Sequence, residues 1–321
     1  MHSLAVRMGL LTTIIFGVVC VVVVFLLRTL GLGNLYMCVG FVSLITIIQY
    51  LIGPKIVEMS MRVQYPKRQE FPWLFDMVDN LARTANVPTP RIGISSVHVP
   101  NAFAFGRSVR DGRVCVTKGI LDLLNREELC AVLGHELGHI KNRDVLFITF
   151  FSVIPIVLYH VFYNLTYARR RDSGSGNSAS LGLVALLLYF ITNLLVLYLS
   201  RIREYYADKT SVSLGNAPSA LASALYQLVY GAAKVPKEEL RVVEGVKAFF
   251  LNDVSRGRQE MRDLVALDLD RSGTIDPFEL KALREQEIKL NGSDRLMDLL
   301  STHPNMLKRI KQLSLYSHTG V

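Results

Sequence analysis

Cysteine is scarce in this chain and scattered. Cys20, Cys38, Cys115 and Cys130 form no C-x-x-C pair, which argues against a disulfide framework and a thiolate zinc site and leaves reduced thiols as the plain reading. No nucleic-acid module is present, nor a basic stripe interleaved with aromatics, so nucleic acid is not an expected partner. The net charge of +9, from 36 Lys+Arg against 27 Asp+Glu, then needs another explanation. Basic residues flanking apolar segments attract anionic lipid headgroups, and membrane lipid is the partner this implies. The first apolar run lacks an A-x-A-like cleavage site and is followed at once by a second, so it reads as a retained anchor and not as a signal peptide.

What the chain has in abundance is apolar sequence. Half of its 321 residues are hydrophobic, and its mean hydropathy of +0.31 is too high for an ordinary soluble enzyme. Four stretches are long enough to span a bilayer: Leu10–Leu27, Leu35–Ile52, Val145–Tyr163 and Leu181–Leu199. Pro155 predicts a kink in the third. Arg7, Lys55, Arg62, Lys67, Arg68, Lys141, Arg143, Arg201 and Arg203 flank the spans on one side, which the positive-inside rule places in the cytoplasm. Arg28 and the triplet Arg169-Arg170-Arg171 fall on the other side, the triplet against the rule.

His135-Glu136-Leu137-Gly138-His139 carries the chemistry. On a helix, positions i and i+4 share a face one turn apart, so both imidazoles can reach a single Zn²⁺. Glu136 between them is placed to take a proton from water and hand it to a leaving amine. The spacing is that of metal-assisted peptide hydrolysis. Asn125 followed by Glu128 predicts a capping box at the helix start. Leu129, Val132, Leu133 and Leu137 give the helix an apolar face.

A catalytic zinc takes a third protein ligand. A histidine six residues past the second is ruled out, since positions 142 and 145 are Asn142 and Val145. The preferred ligand is Glu204 in Ser200-Arg201-Ile202-Arg203-Glu204-Tyr205-Tyr206-Ala207-Asp208; Asp144 is the alternative, expected to end the zinc helix. Asp208, one turn beyond Glu204, suits a carboxylate that accepts the other ring N–H of a ligand histidine. A local pairing of Glu204 with Arg201 or Arg203 is the competing reading.

With Glu204-x-x-Ala207-Asp208 after HELGH and a long apolar insertion between them, the chain resembles the HtpX group of membrane zinc metallopeptidases, relatives of the CAAX prenyl proteases. Asn101-Ala102-Phe103-Ala104-Phe105-Gly106 resembles that group's edge-strand segment, and Ser301-Thr302-His303-Pro304 with Arg309-Ile310 resembles its C-terminal segment. The resemblance implies an integral membrane endopeptidase acting on misfolded or damaged membrane proteins in a stress response. It also implies that Asn101, Ala102, Phe103 and Ala104 line the substrate cleft, and that His303 or Arg309 steadies the oxyanion.

One feature lies outside the resemblance. Asp268 to Glu279 fits a twelve-residue EF-hand loop, with oxygen ligands at Asp268, Asp270, Ser272, Asp276 and Glu279, the Thr274 carbonyl, and Gly273 at the turn. Flanking helical patterns run over Arg258–Leu267 and Phe278–Leu290, and Ca²⁺ is the cofactor this pattern suggests.

The expected fold is a mainly α membrane protein with four transmembrane helices and a cytosolic α+β zinc-metallopeptidase domain, gluzincin-like, its small sheet packed on the HELGH helix. Residues 1–52 form the first membrane hairpin and 53–144 the first half of the peptidase domain. Residues 145–200 form the second hairpin, with Ser173–Ser178 as a Gly/Ser connector, and 201–321 the second half. The expected place is the cell (inner) membrane, multi-pass, with the catalytic domain facing the cytoplasm. The rival readings are an intramembrane zinc protease and a Ca²⁺-responsive membrane adaptor with a structural zinc site.

Overall fold

The computed structural model describes residues 35–144, 177–234, 264–285, 301 and 303–316. The spans expected at Leu10–Leu27 and Val145–Tyr163, nearly all of the Gly/Ser connector, and most of the helix expected before the acidic loop lie outside those residues.

Helix α1 (Leu35–Ser60) is apolar along most of its length and continues past the expected end of the second span, through Pro54. Leu44, Ile47, Ile48, Leu51, Ile52 and Ile56 on it are all exposed, which water would penalise and lipid would not. It leads through β1 (Val63–Gln64) to α2 (Pro72–Ala85). In α2, Leu74, Val78, Leu81, Ala82 and Ala85 recur at helical spacing and are buried. Asn86 ends the helix in the left-handed conformation, its backbone N–H bonding back to the last turn.

Three further strands follow: β2 (Arg91–Ser95), β3 (Ala102–Phe105) and β4 (Arg113–Thr117). The sheet order is β1-β2-β4-β3, with β2 and β4 parallel and the other pairs antiparallel. The last strand is therefore an edge. On it Phe103 and Phe105 stack on one face, in a small core with Val57 and Met61 at the end of α1. Ala102, on the other face, belongs to the main core.

After the short helix α3 (Lys118–Leu123) comes α4 (Arg126–Lys141), which carries the pentapeptide. Its start has the expected capping box. Glu128 N–H donates to Asn125 Oδ1 and Asn125 N–H to Glu128 Oε2, both at 3.0 Å. Glu128 does more than cap: Oε1 accepts from Ser223 Oγ at 2.6 Å and from Gln227 Nε2 at 2.5 Å, tying α4 to α6 (Pro218–Lys234).

Helix α5 (Asn177–Ser213) runs unbroken from the fourth expected span into the peptidase domain, so the division expected between residues 200 and 201 falls inside one helix. Its Leu186–Ser213 stretch is, among the described residues, the one helix long and apolar enough to cross a membrane. The lower part of α5 packs against α4 along a seam of small residues. A Cβ at Gly138 would sit 3.0 Å from Ala207 Cα, and one at Gly134 2.5 Å from Asn216 Nδ2. Ser211 Oγ donates to the Ala131 carbonyl at 2.6 Å across the same seam. The glycines of the pentapeptide region thus let α5 approach closely enough for its carboxylates to reach the histidines. Helices α7 (Pro277–Glu285) and α8 (Met306–Tyr316) close the core with Leu280, Leu283, Ile310 and Leu313.

Candidate metal centre and active site

The two histidines project from one turn of α4 with His135 fully buried. Each ring has a carboxylate at Nδ1: Asp208 Oδ1 lies 2.8 Å from His135, and Asp144 Oδ2 lies 2.5 Å from His139. An ionised carboxylate only accepts, so each Nδ1 carries the proton and each Nε2 is left with a lone pair. Those two Nε2 atoms face one another at 3.1 Å. Glu204 completes the group, its Oε2 3.6 Å from His135 Nε2 and its Oε1 3.6 Å from His139 Nε2. Ligand atoms of all three lie within 4.8 Å of one another.

Three electron-rich atoms converging in a buried space repel unless a cation joins them. Glu204 Oε2 is buried with no hydrogen-bond partner, since Arg309 Nη1, 3.2 Å away, is not aligned to donate to it, which leaves its lone pairs available to a metal ion. The His135 imidazole reports the same demand. Burial alone would lower its pKa, but Asp208 and Glu204 push it up to about 9. A metal ion supplies the positive charge this proton would otherwise bring. Two neutral imidazoles, one carboxylate and an open side fit Zn²⁺ of the catalytic kind.

Behind His135 stands Arg309, fully buried. Its Nε and Nη2 clamp the two oxygens of Asp208 at 2.9 and 2.6 Å, and its Nη1 lies 3.2 Å from Glu204 Oε2 without hydrogen-bond alignment. Arg309, for which the resemblance implies an oxyanion role, has no exposed surface here and is placed against the carboxylates of Asp208 and Glu204. His303 Nδ1 lies 3.3 Å from Glu204 Oε1, buried and without a hydrogen-bond partner, while the rest of its side chain is partly exposed. Ser301 Oγ donates to the His303 carbonyl, and Arg201 Nη1 donates to that of Ser301, fixing the segment against α5.

The place expected of Asp144 is corrected. Helix α4 ends at Lys141, and Arg143 takes a left-handed φ of 56°, which turns Asp144 back onto His139. Asp144 also accepts from Arg203 at 2.9 Å. Sequence reasoning had neither of these contacts; the polar Asn142-Arg143-Asp144 turn after the helix was the available signal.

Glu136 is buried between the histidines and the sheet, and burial pushes its carboxyl pKa up, with His135 and His139 opposing. Its backbone partner is Ala104 on β3. Thr117 N–H donates to the Asn101 carbonyl, so by ladder alternation Asn101, Phe103 and Phe105 turn their backbone groups to β4. Those of Ala102 and Ala104 then face away from the sheet, toward Glu136 and the metal site.

The acidic loop is folded on its own backbone. Ser272 and Gly273 N–H donate to Asp268 Oδ1 and Oδ2, both at 2.9 Å, Ser272 N–H also donates to Asp270, and Leu269 N–H donates to Glu279 at 2.6 Å. Asp276 caps α7, accepting from Glu279 N–H at 2.7 Å. The loop brings Asp268, Asp270 and Glu279 together within 4.8 Å. Ser272 Oγ and Thr274 Oγ1 are engaged with each other at 3.0 Å.

The Asp144 contact generates a prediction. Asp144→Asn is expected to weaken zinc binding by roughly 10- to 100-fold, because the tautomer of His139 is then no longer enforced. Competition against a fluorescent chelator measures this, and an unchanged affinity would show the contact to be incidental.

The chain is similar to known proteins along most of its length. The profile of peptidase family M48 matches residues 68–317. "Protease HtpX homolog" of Methanothermobacter thermautotrophicus is 47% identical over 229 residues, 71% of this chain and 86% of that protein. "Protease HtpX homolog 2" of Methanosarcina acetivorans is 37% identical over 279 residues, 85% of this chain and 82% of that one. The crystal structure of S. mikatae Ste24p shares the fold, with a TM-score of 0.51 at 15% identity over 96% of this chain; the chain spans 65% of that protein. Matched along most of its length by the profile and by full-scale relatives, the chain belongs to peptidase family M48, as a protease of the HtpX type.

Proposed function

We propose that the protein is a membrane-embedded zinc endopeptidase that cuts polypeptides on the cytoplasmic side of the cell membrane. One observation carries the reading: His135, His139 and Glu204 converge with Glu136 beside the outward-facing backbone of Ala104. A purely structural zinc site has no use for a buried carboxylate poised between the ligands and a free strand edge. Zinc held there supplies a Lewis acid that acidifies water and polarises a carbonyl.

The remaining work falls to side chains and backbone. An extended substrate adds to β3 through the outward groups of Ala102 and Ala104, which sets its register on the edge. Glu136, buried beside the two histidines, takes the proton of the attacking water. The same carboxyl then delivers that proton to the departing amine. His303 is the donor for the developing oxyanion. Asp208 and Asp144 keep both imidazoles in the binding tautomer, and Arg309 holds Asp208 and Glu204 in place.

The lipid-facing sides of α1 and α5 support a membrane setting, and with it substrates that are misfolded or damaged membrane proteins. Glu136→Gln is expected to keep zinc and lose casein cleavage by roughly 10²- to 10⁴-fold. Chelation abolishes cleavage and zinc restores it, and inside-out vesicles cleave added casein while sealed right-side-out ones do not. Substantial activity in Glu136→Gln, or activity indifferent to chelator or vesicle orientation, would refute the corresponding part.

For the 268–279 loop the reading is Ca²⁺, supported by the EF-hand spacing and by the convergence of Asp268, Asp270 and Glu279. Calorimetry is expected to show millimolar or tighter Ca²⁺ binding that Glu279→Gln removes; no heat in the parent protein would end this assignment.

A further inference from the structure

A cavity of about 390 Å³ opens beside the metal site, at the end of β3. Ala104 and His139 form its inner wall, so it is continuous with the place where a substrate backbone meets Glu136. Its other walls come from Phe105 at the end of β3, Val109 in the β3–β4 connection, Ile140 at the end of α4 and Tyr50 on α1. The Tyr50 hydroxyl donates to the Arg107 carbonyl, which fastens the apolar α1 to the rim.

The lining is mainly apolar and includes the buried Asp144, whose carboxylate is taken up by His139 and Arg203, whereas the rim carries arginines. Arg107 is paired with Asp111 at 2.7 Å. Arg110 and Arg143 are exposed on the rim, and neither has an acidic partner among the described residues. Arg143 holds its left-handed backbone there, a conformation that costs a non-glycine residue energy and that recurs at functional sites.

We infer that this cavity is the specificity pocket of the enzyme: it seats a large apolar side chain of the substrate close to the cut bond, and Arg110 and Arg143 turn away lysine and arginine. The inference rests on the peptidase reading above. A peptide paired along β3 advances about 3.3 Å per residue, so the cavity is within one or two residues of the carbonyl attacked near Glu136. An apolar wall there gains from burying leucine, phenylalanine or methionine. A cationic substrate side chain would meet the guanidinium groups of Arg110 and Arg143 at the entrance. The apolar helix α1 on one wall suits sequence drawn from membrane segments.

Cleavage of a randomised peptide library by the purified, zinc-loaded full chain tests this. The parent enzyme is expected to favour leucine, phenylalanine or methionine over alanine about tenfold or more at one position near the cut, and to disfavour lysine and arginine there. Val109→Trp, which fills the cavity, is expected to shift that position to small residues at unchanged zinc content. Ser108→Trp at the exposed rim gives the same shift if Val109→Trp misfolds, and Arg110→Glu with Arg143→Glu admits lysine. Cleavage with no side-chain preference, or with a preference untouched by the folded tryptophan variants or the charge reversal, would overturn the pocket and leave the peptidase reading standing. No cleavage by the parent enzyme would overturn both.

Discussion

The site depends on a buried clamp between three helices. Arg309 on α8 holds Asp208 on α5, and Asp208 holds the ring of His135 on α4. All three groups are without measurable exposure. Breaking one partner out of such a buried network costs about 3–5 kcal/mol, because the remaining charge is stranded. A helix cap such as Asn125 is worth about 1 kcal/mol. The clamp therefore outweighs local helix preferences in deciding how α4, α5 and α8 sit, and the same guanidinium places Glu204 beside the histidines.

A second constraint is mechanical. Helix α5 carries exposed apolar residues at one end and Glu204 and Asp208 at the other, with no break between. Glu204, of the candidate metal group, thus stands on the same unbroken helix as the exposed apolar stretch, so helix geometry fixes the distance between the two. The glycines at 134 and 138 matter for the same reason: a Cβ at 138 would press on the backbone of Ala207, and one at 134 would crowd Ser211 and Asn216.

Much of this was legible from the chain. The capping box, the apolar face of the HELGH helix and the i, i+4 histidines follow from local chemistry or periodicity, whereas the edge strand at 102–105 was expected only from the resemblance. Glu204 and Asp208 were reachable because their helical spacing matched two distinct roles. What escaped was non-local. That Arg309 stands behind His135 requires knowing that α8 crosses α5, and no periodicity encodes that. That Asp144 turns back to His139 depends on the left-handed Arg143, a residue type that gives no hint of such a conformation. The Glu128 link to Ser223 and Gln227 was hidden because the capping box already explained the glutamate.

The central claim is a zinc held by two imidazoles and one carboxylate, and zinc-edge X-ray absorption on the purified full chain tests it most directly. The account predicts one zinc per chain, with imidazole nitrogens and carboxylate oxygen in a single shell at about 2.0–2.2 Å. The Glu204→Ala protein should lose one oxygen from that shell or lose the metal. A sulfur shell at about 2.3 Å, or a shell unaltered by Glu204→Ala, would contradict it.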